Sequence, residues 1–159
     1  MGEVANKADS ALARDLGAAP EVLRRSDAPA RLLLADDDAE IAMLMYRILS
    51  RQGWQVVRVG DGFQAVSAWP AEGIPFDLVI LDLYMPRKNG YQAYQELRKL
   101  HPEARFLFVS GWFTEDACAK RVVDEGLPYL LKPFDPQDLV SMVRLLLRVR
   151  RNPAETSPT

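Results

Sequence analysis

The stretch from Asp77 to Gly90, DLVILDLYMPRKNG, decides how this chain folds. Its apolar run, Leu78 to Leu81, is typical of a parallel strand that is covered on both faces. A carboxylate, Asp82, ends the run directly in front of a turn that contains Pro and Gly. Because parallel strands deliver side chains to the crevice beyond their carboxyl ends, where α/β proteins keep their sites, Asp82 is predicted to lie in a functional site.

From Arg31 onward, short apolar strands alternate with segments of helical periodicity. The predicted strands are Arg31 to Ala35, Gln55 to Val59, Asp77 to Leu81, Arg105 to Val109 and Pro128 to Leu131. In the intervening segments apolar residues recur at helical spacing, as in Tyr91, Tyr94, Leu97 and Leu100. This alternation predicts an α/β fold of the flavodoxin-like type, a doubly wound five-stranded parallel sheet in the order 2-1-3-4-5.

The length and composition predict one folded domain with tails. At 159 residues and 48% hydrophobic content, the chain can build one full core, which we place in residues 30 to 151. Residues 1 to 29 are rich in Ala and charge and are expected to form a flexible arm, with a short helix near Ser10 to Leu16. The polar residues 152 to 159 are expected to form a disordered tail.

The charge balance and the lack of apolar runs exclude several function classes. Twenty basic and 22 acidic residues give a net charge of −2, so direct binding to nucleic acid or to an anionic membrane is not expected. No apolar run reaches the roughly 20 residues that a membrane span requires, and no signal peptide is evident, so a cytoplasmic location is expected. Cys118 is the only cysteine, and we predict a buried structural thiol rather than a disulfide or a thiolate metal site.

Three adjacent carboxylates, Asp36, Asp37 and Asp38, follow the first strand. Asp38 stands directly before a helix and is predicted to cap it. Because the first and third strands are neighbours in the predicted sheet, Asp36 and Asp37 should share one crevice with Asp82. Carboxylates that share a pocket repel one another unless a cation joins them or some are protonated. Mg²⁺ fits this set best, since it binds one or two carboxylates together with waters and phosphate oxygens.

The fourth and fifth strands add a hydroxyl and an ammonium group to the same edge of the sheet. Ser110 ends the sequence FLFVS, and Lys132 follows YLL. Taken alone, a Ser after a strand is usually a turn residue, and a lone Lys is usually solvated. Together with the carboxylates, the two groups favour phosphoryl transfer with an Asp nucleophile.

Residues 31 to 150 resemble the receiver domain of two-component response regulators. The matching features are the acidic pair Asp36 and Asp37, Asp82 within LDLYMPRKNG, Ser110, Tyr129, and Lys132 within KPF. Tyr129 lies 19 positions after Ser110 and Lys132 lies 22 after it, as the family pattern requires. Each motif alone is modest, but five motifs in the right order are highly specific.

The resemblance implies that a histidine kinase or phosphotransfer protein donates a phosphoryl group to Asp82. It also implies an Mg²⁺ site made by Asp37, Asp82 and the backbone carbonyl of Tyr84, with Asp36 acting through water. Lys132 would supply a second positive charge, and the Lys132-Pro133 bond is expected to be cis. The chain is then not an enzyme for other substrates, since it catalyses only its own phosphorylation and dephosphorylation.

The output implied by the resemblance is a conformational switch. The Ser110 hydroxyl would move toward the phosphoryl group, and Tyr129 would rotate into the space that it leaves, which repacks the face formed by the fourth helix, fifth strand and fifth helix. The alternative for Tyr129 is a half-buried strand aromatic with a solvated hydroxyl.

Two bulky residues and one small one distinguish this chain within the family pattern. Gly111 stands where the family usually has Ala, which should widen access to the phosphoryl group. Tyr84 and Trp112 are predicted to flank the acyl phosphate and to lengthen its life by excluding the attacking water. The alternative for Trp112 is simple packing over the start of the fourth helix.

The leading hypothesis is a stand-alone receiver that switches a protein-interaction face toward an unknown target, as a monomer or a phosphorylation-dependent dimer. The alternative is a phosphorylation-independent adaptor of the same fold. A hydrolase of the haloacid dehalogenase type is disfavoured, because it needs an Asp two residues after the nucleophile and Tyr84 stands there. A flavin-binding protein is disfavoured too, since the acidic first loop would repel a phosphate. His101 precedes Pro102 and is interpreted as a turn residue, so the phosphoryl group has to come from another protein.

Overall fold

The computed structural model describes residues 28–70, 73–111 and 116–148. The predicted helix near Ser10 to Leu16, the tail at 152–159 and Trp112 lie outside the described residues. Within the described part, no helix is long and apolar enough to cross a membrane.

Five parallel strands and five helices alternate in the part of the chain that the structure describes. The strands are β1 (Arg31–Ala35), β2 (Gln55–Val59), β3 (Leu78–Asp82), β4 (Phe106–Ser110) and β5 (Tyr129–Leu131). The helices are α1 (Ala39–Ser50), α2 (Gly62–Ala68), α3 (Gly90–Leu100), α4 (Ala117–Asp124) and α5 (Pro136–Arg148). The sheet order is β2-β1-β3-β4-β5, which confirms the predicted doubly wound α/β fold.

The predicted boundaries of β1 and β2 are correct, but β3 and β4 begin and end one residue later than predicted. The reason lies in the strand pairing. Asp82 pairs with Val109, and Ser110 pairs with Leu131, so both polar residues are still part of the sheet. Their backbones are therefore held by the ladder, and their side chains are fixed more firmly than those of loop residues would be.

The sheet is buried on both faces because successive strand residues point to opposite sides. On one face, Leu33, Leu81 and Phe108 pack against residues of α2, α3 and α4. On the other face, Leu34 and Ile80 pack against α1 and α5. The apolar runs of the sequence thus build two core layers, and the polar ends of the strands are left for the site.

Side-chain caps fix where the helices begin beside the carboxyl edge of the sheet. Asp38 caps α1, as predicted, by accepting hydrogen bonds from the backbone N–H groups of Glu40 (3.0 Å) and Ile41 (3.1 Å). Asn89 caps α3 in a reciprocal capping box with Gln92. These caps end the loops that follow β1 and β3, and so limit where the site residues on those loops can lie.

The predicted burial of Cys118 is only partly correct. Its side chain is half-buried, and its sulfur lies 3.6 Å from Nδ2 of Asn89. It packs on the rim of the core because it sits in the first turn of α4, close to the loop edge of the sheet.

Candidate functional site

The carboxyl edge of the sheet collects buried polar side chains. Asp36 is 3% exposed, Asp82 is 8% exposed and Ser110 is fully buried. Asp36 directly follows β1, whereas Asp82 and Ser110 are the last residues of β3 and β4. Burying a carboxylate costs free energy unless nearby charges or hydrogen bonds compensate it. The buried polar groups therefore mark this edge of the sheet as the candidate functional site.

Asp36, Asp37 and Asp82 each offer a carboxylate oxygen, and these oxygens lie within 4.8 Å of one another. Asp37 is exposed, whereas the other two are buried. Hard oxygen donors at this spacing, open to solvent on one side, suit Mg²⁺ bound by carboxylates and waters. The donor set therefore fits the predicted ion, and the crevice has the negative charge that such an ion would neutralise.

Lys132 joins the carboxylate cluster from the end of β5. Its Nζ lies 2.7 Å from Oδ2 of Asp36 and 3.3 Å from Oδ2 of Asp82. Its backbone N–H donates to the carbonyl of Ser110 (2.9 Å), and the Lys132-Pro133 peptide bond is cis, as expected. Burial alone would lower the pKa of Lys132, but the hydrogen bond to Asp36 and the two negative charges outweigh it and raise the pKa. The side chain is therefore a permanent cation.

The environment of Asp82 makes it a weaker acid than an ordinary aspartate. Burial raises its pKa to about 6; the charge of Lys132 opposes this rise, and the charge of Asp36 adds to it. The backbone N–H of Tyr84 donates to Oδ1 of Asp82 (3.2 Å) and favours the ionised form. Asp82 is thus mostly ionised at neutral pH, while it lies in a site that poorly solvates its charge.

Gly90 allows the loop after Asp82 to fold back against β3. A Cβ atom at this position would lie 2.1 Å from the carbonyl oxygen of Asp82, so any larger residue would push the loop away. The Gly90 N–H donates to the carbonyl of Leu83 (2.9 Å), which closes the loop at its base. The glycine of the LDLYMPRKNG stretch therefore allows the loop to pack closely against the backbone of Asp82, the candidate phosphoacceptor.

The other predicted site residues are more widely spread. Ser110 lies on β4, next to β3, whereas Tyr129 opens β5 and is 39% exposed. Tyr84 is 38% exposed. Partial burial and a hydrogen bond to the Asp116 carboxylate raise the pKa of Tyr84 to about 12, so its hydroxyl stays protonated and can act as a donor. The structure thus groups Asp36, Asp37, Asp82 and Lys132 directly, with Tyr84 two residues beyond Asp82.

Comparison with known proteins decides what kind of domain carries this cluster. The sequence model of the response regulator receiver domain matches residues 32–144, which is most of the chain. The chain belongs to the response regulator receiver family. Phosphorylation on an Asp and Mg²⁺ binding in the acidic pocket are general features of receivers, and receivers interact with histidine kinases and phosphotransfer proteins. Receiver domains are not classical enzymes, although they dephosphorylate themselves.

Several curated relatives contain a similar receiver. The transcriptional regulatory protein PdtaR of Mycobacterium tuberculosis is 36% identical over 121 residues, which make up 74% of this chain and 56% of PdtaR. The sensor kinase CckA of Brucella abortus is 34% identical over 119 residues, which make up 74% of this chain and 12% of CckA. The receiver therefore spans from about one eighth to about half of the length of these relatives.

Solved receivers share the fold. The response regulator protein TrrA of Thermotoga maritima, solved in complex with Mg²⁺-BeF, is 25% identical with a TM-score of 0.63. The match covers 74% of this chain and 98% of TrrA. A CheY-like receiver of Methanospirillum hungatei is 24% identical with a TM-score of 0.67, over 75% of this chain and 94% of its own. The likeness confirms the predicted fold class.

One buried carboxylate at this edge of the sheet escaped the sequence analysis. Asp61, after β2, is buried and forms an ion pair with Arg87, which belongs to the loop after Asp82. The rule that strands deliver side chains at their carboxyl ends applies to β2 as well, and would have pointed to Asp61. No local signal marks Arg87 as its partner, because the two residues lie 26 positions apart.

Proposed function

We propose that this receiver accepts a phosphoryl group on Asp82 from a histidine kinase or phosphotransfer protein, and that the phosphoryl group switches a protein-interaction face. The observation that carries the proposal is the position of Lys132. Its ammonium contacts Asp36 and Asp82 together, within a cluster of three carboxylates. A structural ion pair needs only one carboxylate, whereas here three carboxylates share one ammonium group. The remaining negative charge suits a divalent cation, and that cation and Lys132 together would attract a phosphoryl group to Asp82.

The residues that would hold Mg²⁺ are Asp37, Asp82 and the backbone carbonyl of Tyr84, with Asp36 acting through water. When bound, Mg²⁺ supplies positive charge that offsets the charge of the carboxylates and of the phosphoryl oxygens. Asp37 suits this role because it is exposed and can be reached from solvent. Asp36 suits the indirect role, since it is buried and already pairs with Lys132.

The proposed reaction exchanges one bond to phosphorus for another. An oxygen of Asp82 attacks the phosphorus of a phosphohistidine in line with the P–N bond. As the new P–O bond forms, the P–N bond breaks, and its electron pair returns to the nitrogen. The leaving group is neutral imidazole when its other ring nitrogen carries a proton. Lys132, 3.3 Å from Asp82, stabilises the charge on the transferred oxygens.

The proposed output begins with Ser110 and Tyr129. Ser110 is buried at the end of β4, one strand from Asp82, so its hydroxyl can respond to a phosphoryl group there. Tyr129 is partly exposed, so its ring can still become more buried, as the switch requires. The elements of the proposed face also carry exposed apolar side chains: Val123 on α4, Leu131 on β5 and Leu145 on α5. A downstream protein would bind this face in one state of the switch.

Tyr84 and Trp112 are proposed to set the lifetime of the phosphorylated state. Hydrolysis needs a water in line with the P–O bond, and a bulky side chain beside Asp82 can occupy that position. The exposed ring of Tyr84 lies on the loop that follows Asp82, which supports this role. Trp112 lies outside the described residues and is proposed from its sequence position alone.

The arm at residues 1–29, the tail at 152–159, the cytoplasmic location and the monomer or phosphorylation-dependent dimer stay predictions. The family match at residues 32–144 falls inside the domain predicted at 30–151.

The proposal is tested by incubating the protein with acetyl phosphate and Mg²⁺ and measuring its intact mass. Wild type should gain one phosphate and Asp82→Asn should gain none. Asp38→Asn is a matched control, because Asn also caps helices and Asp38 lies outside the proposed site. No gain in folded wild type would contradict the proposal and favour the phosphorylation-independent adaptor.

A further inference from the structure

Asp61 is a buried carboxylate with two separate tasks. Its side chain is 2% exposed. Oδ1 accepts the backbone N–H of Gln64 (2.8 Å) and so caps α2, while Oδ2 accepts a hydrogen bond from the guanidinium of Arg87. A cap needs only one oxygen, and Ser or Asn would serve equally well. The second oxygen and the charge are thus explained by Arg87 and not by the helix.

Arg87 adopts an unusual backbone conformation. Its φ is 68°, in the left-handed region that few residues other than glycine occupy. Such a conformation persists only where the surroundings impose it. The side chain of Arg87 is 64% exposed, so apolar burial does not hold the residue in place. The Lys88 N–H donates to the carbonyl of Pro86 (2.8 Å) and closes a tight turn around Arg87. The ion pair with Asp61 is the side-chain contact that joins this turn to the start of α2.

Further contacts press the same loop against the start of α2. A Cβ atom on Gly62 would lie 2.4 Å from the carbonyl oxygen of Lys88, so the two backbones touch. The Lys88 ammonium lies 4.5 Å from the centre of the Phe63 ring. Arg87 and Lys88 together therefore fasten the middle of the loop to α2.

The fastened loop is the one that carries Tyr84. Its base is closed by the hydrogen bond from Gly90 to Leu83 (2.9 Å), and the Tyr84 N–H donates to Asp82 (3.2 Å). We propose that Asp61 and Arg87 are positioning residues, which hold the loop after Asp82 so that the Tyr84 carbonyl can bind Mg²⁺. The inference rests on the proposed function, since it concerns the same ion.

An exposed ion pair on α4 provides a comparison for the proposed positioning pair of Asp61 and Arg87. Lys120 and Asp124 on α4 lie 3.1 Å apart, and their side chains are 73% and 60% exposed. Such pairs contribute little, because solvent screens both charges. The carboxylate of Asp61 is shielded from solvent, so loss of Arg87 would leave it buried without a cation.

The experiment measures the affinity for Mg²⁺ alone by isothermal titration calorimetry. Arg87→Met removes the guanidinium from an exposed position, and Asp61→Asn keeps the cap of α2 but removes the charge. Each is expected to weaken Mg²⁺ binding by about tenfold or more, which is usual when a group that orients a ligand is lost. The double variant should lose no more than the single variants, because both act through one contact. Lys120→Met, the matched control, should bind like wild type.

Hydrogen exchange of the Tyr84 amide gives a second readout that needs no metal. It should be faster in Arg87→Met than in wild type, and unchanged in Lys120→Met. A purely stabilising role of the pair would lower the melting temperature of Arg87→Met but leave both Mg²⁺ affinity and Tyr84 exchange unchanged in the folded protein. That result would overturn the inference.

Failure of the proposed function gives a different pattern. In that case wild type and Asp82→Asn would both fail to bind Mg²⁺. Faster hydrogen exchange of the Tyr84 amide in Arg87→Met would then still support the claim that Asp61 and Arg87 hold the loop after Asp82 in place. Unchanged exchange would overturn that claim.

Discussion

The two ends of the sheet bury different kinds of side chain. At the carboxyl end, the described part of the chain buries four polar residues, one at or after the end of each of the first four strands: Asp36, Asp61, Asp82 and Ser110. At the amino end, aromatic rings meet instead. Trp69 stacks on His101 with ring centroids 4.1 Å apart, and Phe76 meets Trp69 edge-on at 5.7 Å.

This difference separates the chemistry of the domain from its stability. Buried carboxylates cost free energy even when they are paired, whereas stacked and edge-on aromatic rings contribute to folding. At the carboxyl end, we expect the buried charge of Asp82 to lower the stability of the fold. Changes at the carboxyl end should therefore alter phosphorylation more than folding, and changes at the amino end should do the reverse.

The largest expected effect is that of Lys132→Met at the carboxyl end. Without the ammonium group, the transferred phosphoryl oxygens lose a preorganised cation, and phosphorylation by acetyl phosphate should slow by about 100-fold. Rates from intact-mass time courses check this, with Lys120→Met as the control. A rate equal to that of wild type would remove Lys132 from the mechanism.

The next effect is a gain of stability in Asp82→Asn. It tests whether the buried charge of Asp82 destabilises the carboxyl end of the sheet. The raised pKa, about 6 in the fold against an ordinary 3.8, means that the folded state holds the Asp82 proton more tightly. Proton binding by Asp82 therefore contributes to the free energy of unfolding. This contribution is fully present below about pH 4 and is lost as the pH rises through about 6. At pH 7, removing the charge should stabilise the metal-free protein by up to about 3 kcal/mol.

Urea unfolding in EDTA at several pH values measures this gain. The difference between Asp82→Asn and wild type should grow from pH 4 to pH 7. Asp124→Asn, an exposed carboxylate, should show no such growth. A variant that is less stable than wild type at pH 7 would mean that the pair with Lys132 outweighs the cost of burying Asp82.

At the amino end, Trp69→Ala should destabilise the fold and spare the chemistry. Loss of the stack on His101 and of the contact with Phe76 should lower the free energy of unfolding by about 2 kcal/mol, since Trp69 is half-buried. The phosphorylation rate, measured well below the melting temperature, should match wild type. A slower rate in the folded variant would show that the two ends are coupled.

The smallest effect is expected from Tyr84 and Trp112, the two residues proposed to protect the phosphoryl group. Tyr84→Ser with Trp112→Ser should shorten the life of the phosphorylated protein several-fold by admitting water to the phosphorus. Loss of phosphate after removal of the donor, followed by intact mass, measures it. If wild type loses phosphate quickly and the double variant loses it no faster, these residues do not protect the phosphoryl group.

Much of this organisation was predictable from local sequence patterns. Apolar runs and helical spacing fixed the order of elements, and the rule for strand ends brought Asp36, Asp37, Asp82 and Lys132 to one edge. Strand ends were misplaced by one residue at Asp82, because pairing with a neighbouring strand, not local pattern, decides where a strand stops.

The contacts that sequence reasoning missed are long-range ones. The ion pair of Asp61 with Arg87 depends on how one loop packs on the start of a helix, and the stack of Trp69 on His101 depends on where two helices end. Residues 61 and 87 each have an ordinary local explanation, as a helix cap and as a turn residue. Only the three-dimensional arrangement shows that they meet.

The most direct test of the central claim is to locate the phosphoryl group chemically. Reduction of the acetyl phosphate-treated protein with borohydride converts an aspartyl phosphate into homoserine, which peptide mass spectrometry can assign to a residue. We expect homoserine at position 82, dependent on Mg²⁺ and absent from Asp82→Asn. Homoserine at Asp36 or Asp37 instead, or none in folded wild type, would contradict it.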